Sequence, residues 1–251
     1  MPGHPLRPQL LVRTPGARRR AHGPVRPAPH RVAPADVTGC CAVTVDSIAA
    51  WHDAGSGITR SLELAHRSLL AGGLPVGAVV LGPGGDVVAE GRNRAYDPPG
   101  GDDRLQGSPI AHAEMNALAR IAVGADLSTT TLWSSHRPCG MCAAACEFTG
   151  VGRVRFVAPD PSDDQPGPEP TGVDGQWLIV ANLLFLAGIR AYSGADAPIL
   201  RQARDREPET TGLLDTVAPQ LWETATLPDA LGLLWPDVVD AAQQRRRRIG
   251  G

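Results

Sequence analysis

The clearest signal along the chain is a change in the period of its apolar positions. Between Ile58 and Leu70, the residues Ile58, Leu62, Leu64, Ala65 and Leu69 recur near helical spacing. Thr59 or Ser61 can cap the start of such a helix, and Gly72-Gly73 can end it. Val76 to Leu81 is then a short β-branched run, Gly82-Pro83-Gly84-Gly85 a turn, and Asp86 to Glu90 a returning strand. Residues 97–109, rich in Pro, Gly and Asp, predict a loop. Pro109 precedes a helix expected from Ile110 to Val123, since proline is favourable at a helix start. A strand comes next at Thr130–Ser134. The next helix opens at Pro138-Cys139, runs to about Phe148 and stops at Gly150, and Val151–Ala158 is a further strand. This order of helix, hairpin and alternating helix and strand predicts an α/β fold with helices on the faces of a sheet.

Beyond it, 159–176 reads as a Pro/Asp/Gly linker and Gln176–Arg190 as an apolar helix, with Trp177, Val180, Leu184 and Ala187 on one face. Residues 196–206 and 229–244 predict amphipathic helices. The expected organisation is a Pro/Arg-rich disordered tail at 1–42, a core domain at 46–160, a helical extension packing on it at 171–244, and a basic tail at 245–251.

Charge changes the picture of what the chain can bind. All 24 basic residues are arginine. Residues 1–42 hold seven of them against one Asp, and Arg245 to Arg248 hold four more. That leaves thirteen Arg against 25 acidic residues in 43–244. An acidic body weighs against a large nucleic acid as substrate, because tracking phosphates requires a basic surface. No apolar run reaches membrane-spanning length, since Asn182 and Gly188 interrupt the best candidate, Trp177–Ile189. Five cysteines, without a signal peptide, suggest a reducing cytoplasmic setting rather than a disulfide framework.

The candidate chemistry lies at two expected helix starts. His112-Ala113-Glu114 opens one, and Pro138-Cys139-Gly140-Met141-Cys142 opens the other, 27 residues after His112 with a strand between. Each motif alone is weak; together they form the signature of zinc nucleobase deaminases. His112, Cys139 and Cys142 supply three ligands, which leaves zinc's fourth position open, as in catalytic sites. Glu114 is placed to shuttle protons between water, a ring nitrogen and the leaving amine. Cys146 reads as a small buried residue rather than a fourth ligand. His136 is expected to line the pocket or face solvent, and His66 to be a surface or hydrogen-bonded histidine.

At these residues the chain resembles the cytidine deaminase-like superfamily, in the branch with His-Ala-Glu and Pro-Cys-x-x-Cys that includes tRNA adenosine, guanine and cytosine deaminases. The resemblance runs from about Leu62 to Ala158 and includes PVGAVVLGPGGDVVAEGRNR at 75–94. It implies a three-layer α/β/α sandwich around a mixed sheet of about five strands, a Zn2+ cofactor and a homodimer. It also implies that Asn93 and the backbone N–H of Ala113 contact substrate. The expected substrate is a nucleobase, nucleoside or related small aminated heterocycle, with tRNA adenosine and a non-catalytic zinc-stabilised interaction protein as the alternatives. Ser135-His136-Arg137 departs from the Thr-Leu-Glu common before the cysteine motif, so Arg137 alters the polarity expected beside the site.

Overall fold

The computed structural model describes residues 40–101, 103–163, 167–224 and 226–250. The tail expected at 1–42 therefore lies outside the described residues up to 39. Its last three residues belong to a helix that periodicity did not reveal, α1 (Cys40–Asp53). The elements continue as α2 (Ser56–Leu70), β1 (Gly77–Leu81), β2 (Val87–Arg92), α3 (Ala113–Leu118), β3 (Thr131–His136), α4 (Gly140–Phe148) and β4 (Arg153–Ala158). Then come the helices α5 (Gly175–Ser193), α6 (Pro198–Arg206), α7 (Pro208–Thr216) and α8 (Leu227–Ile249), with a short 3-10 turn at Pro219–Glu223.

The sheet has the order β2-β1-β3-β4. β1 pairs antiparallel with β2 and β3, and β3 pairs parallel with β4. It is a mixed sheet, but it holds four strands among the described residues, not about five. The fifth strand is implied by the resemblance alone, and the next apolar segment after β4 is the helix that its sequence predicts. It is buried at every position from Trp177 to Ile189, a helix apolar all round rather than an alternating strand. Pro198, Pro208 and Pro228 then sit in the first turns of α6, α7 and α8, where a missing N–H costs nothing.

Alternation along the strands separates the layers. Ala78, Val80 and Leu132 face Ala113, Ala117 and Leu118 of α3 and Cys146 of α4. The larger core lies on the opposite face, where Leu62 and Ala65 of α2 join α5, Val157 and the C-terminal helices. There Trp177 meets Trp51 of α1 edge-on at 5.7 Å and Trp235 of α8 at 5.1 Å. By length and composition α5 could cross a membrane, which corrects the expectation that no segment is long enough, but most of it is buried inside the protein.

Two glycines set how closely helices approach the sheet. A Cβ at Gly77 would lie 2.2 Å from the Ser61 carbonyl oxygen on α2. One at Gly91 would lie 2.4 Å from the Ala113 carbonyl oxygen and 2.5 Å from the Ala117 nitrogen on α3.

Two boundaries differ from expectation. The helix expected at Ile110–Val123 shrinks to α3, because His112 is extended (φ −68°, ψ 158°) and caps it, leaving Pro109 in the preceding turn. The basic tail expected at 245–251 is helical through Ile249. Arg245 is buried there, bound at once by Glu169 and Glu207, and Arg248 pairs with Glu209. These carboxylates hold the arginine run as the end of α8.

Candidate metal and catalytic site

The site is assembled from two helix starts on one face of the sheet. His112 caps α3 and Cys139 caps α4, both with extended backbones, so the first turn of each helix carries a second candidate residue. These are Glu114 in α3 and Cys142 in α4. His112 Nδ1 lies 3.6 Å from each sulfur, and the two sulfurs are 3.7 Å apart, too far for a disulfide. Among the described residues this is the group of His, Cys and acidic side chains with ligand atoms gathered tightly enough for a metal.

The spacing suits zinc. With Zn–S near 2.3 Å and Zn–N near 2.05 Å, tetrahedral angles place two sulfurs about 3.8 Å apart and a sulfur and a nitrogen about 3.6 Å apart. Burial pushes the Cys142 thiol well above its ordinary pKa, and the charges of Glu114 and Cys139 push it the same way. A cation among these groups is what makes a thiolate favourable there.

Glu114 is 3% exposed, and its Oε1 accepts a 2.9 Å hydrogen bond from the hydroxyl of Ser134, a fully buried residue of β3. Nothing in the spacing of the two motifs draws attention to this serine. The signal was the alternation Leu132, Ser134 along β3, which places both on the face covered by α3. Cys146 lies in the apolar cluster of that face, and burial, with a smaller contribution from the charge of Glu114, pushes its thiol up to about 11.

Asn93 ends β2. Its own N–H bonds the Val76 carbonyl, and the next residue, Arg94, donates to the Ala111 carbonyl at 2.9 Å. That bond draws the end of β2 alongside His112. The Asn93 Oδ1 already accepts the Ala95 N–H at 3.0 Å, so the side-chain NH2 is the group left to donate. Ala113 is buried at the first position of α3, where a backbone N–H has no intrahelical partner.

His136 neither faces solvent nor joins the metal group. It is buried against Phe185 of α5, 4.9 Å between ring centroids. Burial pushes it down to about 4, opposed by the charge of Asp160 and by the Asn182 amide. Its Nε2 and the Asn182 Oδ1 are neighbours, yet neither meets a partner in good hydrogen-bond geometry. His66 is buried too, and its Nε2 bonds the Trp222 carbonyl at 2.8 Å. Arg137 reaches the loop after β4: its guanidinium pairs with Asp163, whose carbonyl in turn accepts from Gln202 and Arg206 of α6. A cavity of about 320 Å³ opens under that loop, between Asp160, Asn182, Glu207 and Arg245, and none of the metal-group residues lines it.

Comparison with known proteins agrees with this geometry. The profile of the cytidine and deoxycytidylate deaminase zinc-binding region matches residues 53–158. The chain is 33% identical over 160 residues to a tRNA(Ile)-lysidine synthase of Deinococcus deserti, covering 60% of this chain and 28% of that protein. It is 30% identical over 105 residues to a cytosine deaminase of Candida albicans, covering 41% of this chain and 64% of that protein. A solved tRNA:A34 deaminase is 31% identical, with a TM-score of 0.34, covering 41% of this chain and 70% of that structure. The chain thus spans under a third of the first of these relatives and under two thirds of the second. Over residues 53–158 the chain is similar to the cytidine deaminase-like superfamily. The zinc-binding region of that family encloses the His112, Cys139 and Cys142 group, which fits Zn2+.

Proposed function

We propose that this protein is a zinc-dependent hydrolytic deaminase of a nucleobase, nucleoside or related small aminated heterocycle. One observation carries the reading: three soft donors at zinc spacing lie on helix starts, with a buried carboxylate two residues from the histidine. A purely structural zinc site would close with a fourth protein ligand, and Cys146 is instead part of the apolar cluster.

In this reading His112, Cys139 and Cys142 hold the metal. The chemistry zinc supplies when bound is activation of water for attack near neutral pH. Glu114 accepts one proton from the water and delivers it to the ring nitrogen as oxygen adds to the carbon bearing the amine. It then moves the second proton from that oxygen to the amine. The carbon–nitrogen bond breaks, ammonia leaves, and a carbonyl forms. Asn93 donates through its amide NH2 to the ring edge, and the Ala113 N–H faces a ring acceptor. The segment 46–160 carries this chemistry, and 171–244 covers it from the opposite face of the sheet. A homodimer in the cytoplasm completes the proposal.

The thirteen arginines against 25 acidic residues in 43–244 favour a small neutral substrate over a polyanion. Similarity to a tRNA:A34 deaminase favours the second reading, adenosine in tRNA. Ammonia release across a panel of free bases, nucleosides and tRNA separates the two. Inosine formed in tRNA with no turnover of any small heterocycle would replace the first reading with the second. Glu114→Ala should keep its zinc and lose roughly 10²–10⁴-fold in rate; parental turnover in that variant would remove the mechanism.

A further inference from the structure

We infer that Ser134 is a positioning residue for Glu114, fixing which carboxylate oxygen carries protons; the inference rests on the proposed role of Glu114 as the proton shuttle. Ser134 pairs with Ala78 across β1 and β3 and points to the face that α3 covers. It is fully buried, and among the described residues the hydrogen bond it makes through its side chain is the one to Glu114 Oε1. A buried hydroxyl with no partner would be costly, so the serine and the carboxylate hold each other.

Oε1 is occupied by the serine; the carboxylate also faces the Cys142 thiol, and with that sulfur given to the metal as thiolate, Oε2 is the oxygen left to take a proton and return it. The contact also survives the change in protonation. An ionised carboxylate accepts the serine proton at Oε1, and when Oε2 carries a proton, Oε1 is a carbonyl oxygen that still accepts. The carboxyl group therefore need not reorient between taking the first proton and delivering the second. This is the kind of pre-arranged geometry whose loss by about 1 Å costs about 10²-fold in rate.

The test compares Ser134→Ala, Ser134→Thr and Glu114→Ala in the full chain, using the panel substrate that the parent turns over fastest. Ser134→Ala should keep one zinc per chain and a KM within about threefold of the parent, and lose about 10–10²-fold in kcat. Ser134→Thr, which keeps the hydroxyl, should recover to within about threefold of the parent. A crystal structure of Ser134→Ala should show the Glu114 carboxylate turned away from its parental position, a readout that needs no turnover. If Ser134→Ala does not fold, Ser134→Cys, of similar volume with a weak donor, takes its place.

An unmoved Glu114 carboxylate overturns the inference. So does parental kcat in Ser134→Ala beside an inactive, zinc-loaded Glu114→Ala, and so does Ser134→Thr as slow as Ser134→Ala. A fully active Glu114→Ala instead overturns the proposed role of Glu114 itself.

Discussion

Replacing Gly91 with alanine puts a methyl group 2.4 Å from the Ala113 carbonyl oxygen and 2.5 Å from the Ala117 nitrogen. Both are backbone atoms of α3, so no rotamer change relieves the clash. An ordinary contact begins at 3.4 Å, which means α3 must withdraw from β2 by about 1 Å. Overpacking of this kind costs about 1–3 kcal/mol. For a body of this size that is a fall in Tm of roughly 2–4 °C per kcal/mol. The larger effect is on chemistry, because α3 begins with His112 and carries Glu114. A shift of about 1 Å breaks the 2.9 Å contact with Ser134 and opens the 3.6 Å spacings to Cys139 and Cys142. We expect weaker zinc retention during dialysis and about a 10²-fold lower rate. Gly212→Ala is the matched control, since nothing lies within 4 Å of its Cβ in the middle of α7. The same substitution there should stabilise by about 0.5–1 kcal/mol, because alanine loses less freedom on entering a helix. Thermal unfolding, zinc content and ammonia release on both variants decide the matter. Parental values for all three in Gly91→Ala would refute the claim that this glycine sets the height of α3.

Acid should destabilise the fold through His136. Burial holds it near 4 against an ordinary 6.5, so the unfolded chain binds a proton that the folded chain refuses. Its stabilisation is complete above about pH 6.5 and is lost towards pH 4, about 3 kcal/mol in all. His66, also lowered by burial, acts with the same sign. Denaturant titrations across that window should show the slope, and His136→Gln should flatten it. Arg245→Met leaves Glu207 and Glu169 without their shared cation and should cost about 3 kcal/mol, measured as the urea midpoint. A Cys139→Ser/Cys142→Ser double variant should bind no zinc by elemental analysis; full occupancy would sink the ligand assignment.

The amphipathic stretch of α2, the β1–β2 hairpin and β4 were legible in sequence because a clean period coincides with Gly or Pro punctuation. The metal group was legible for a different reason. Thiolates and imidazole at fixed spacing from two helix starts constrain the geometry before the rest of the fold is known. Other features were not visible, because they depend on contacts between distant segments. α1 has no strong apolar stripe, and it holds its place by packing Trp51 on Trp177. The arginine run at 245–248 looks like a solvated tail until Glu169 and Glu207, 76 and 38 residues away, are brought to it. At the end of β3, His136 reads as lining the pocket or facing solvent, yet α5, whose Phe185 packs against it at a tilt, arrives some fifty positions later.

The Trp51–Trp177–Trp235 contact joins the first described helix to the last through α5. During synthesis, residues 112–142 leave the ribosome well before α8 does. The metal donors are then available while the larger core, with Leu62, Ala65 and Val157 on its sheet side, still lacks its cover. Domains generally fold as units, and long-range contacts form late. The nascent chain therefore carries a cation-binding half and an exposed apolar half for the time needed to translate about 90 residues, roughly 5–20 s. Chaperone dependence and aggregation on overexpression should track the supply of α5 to α8 rather than the supply of zinc.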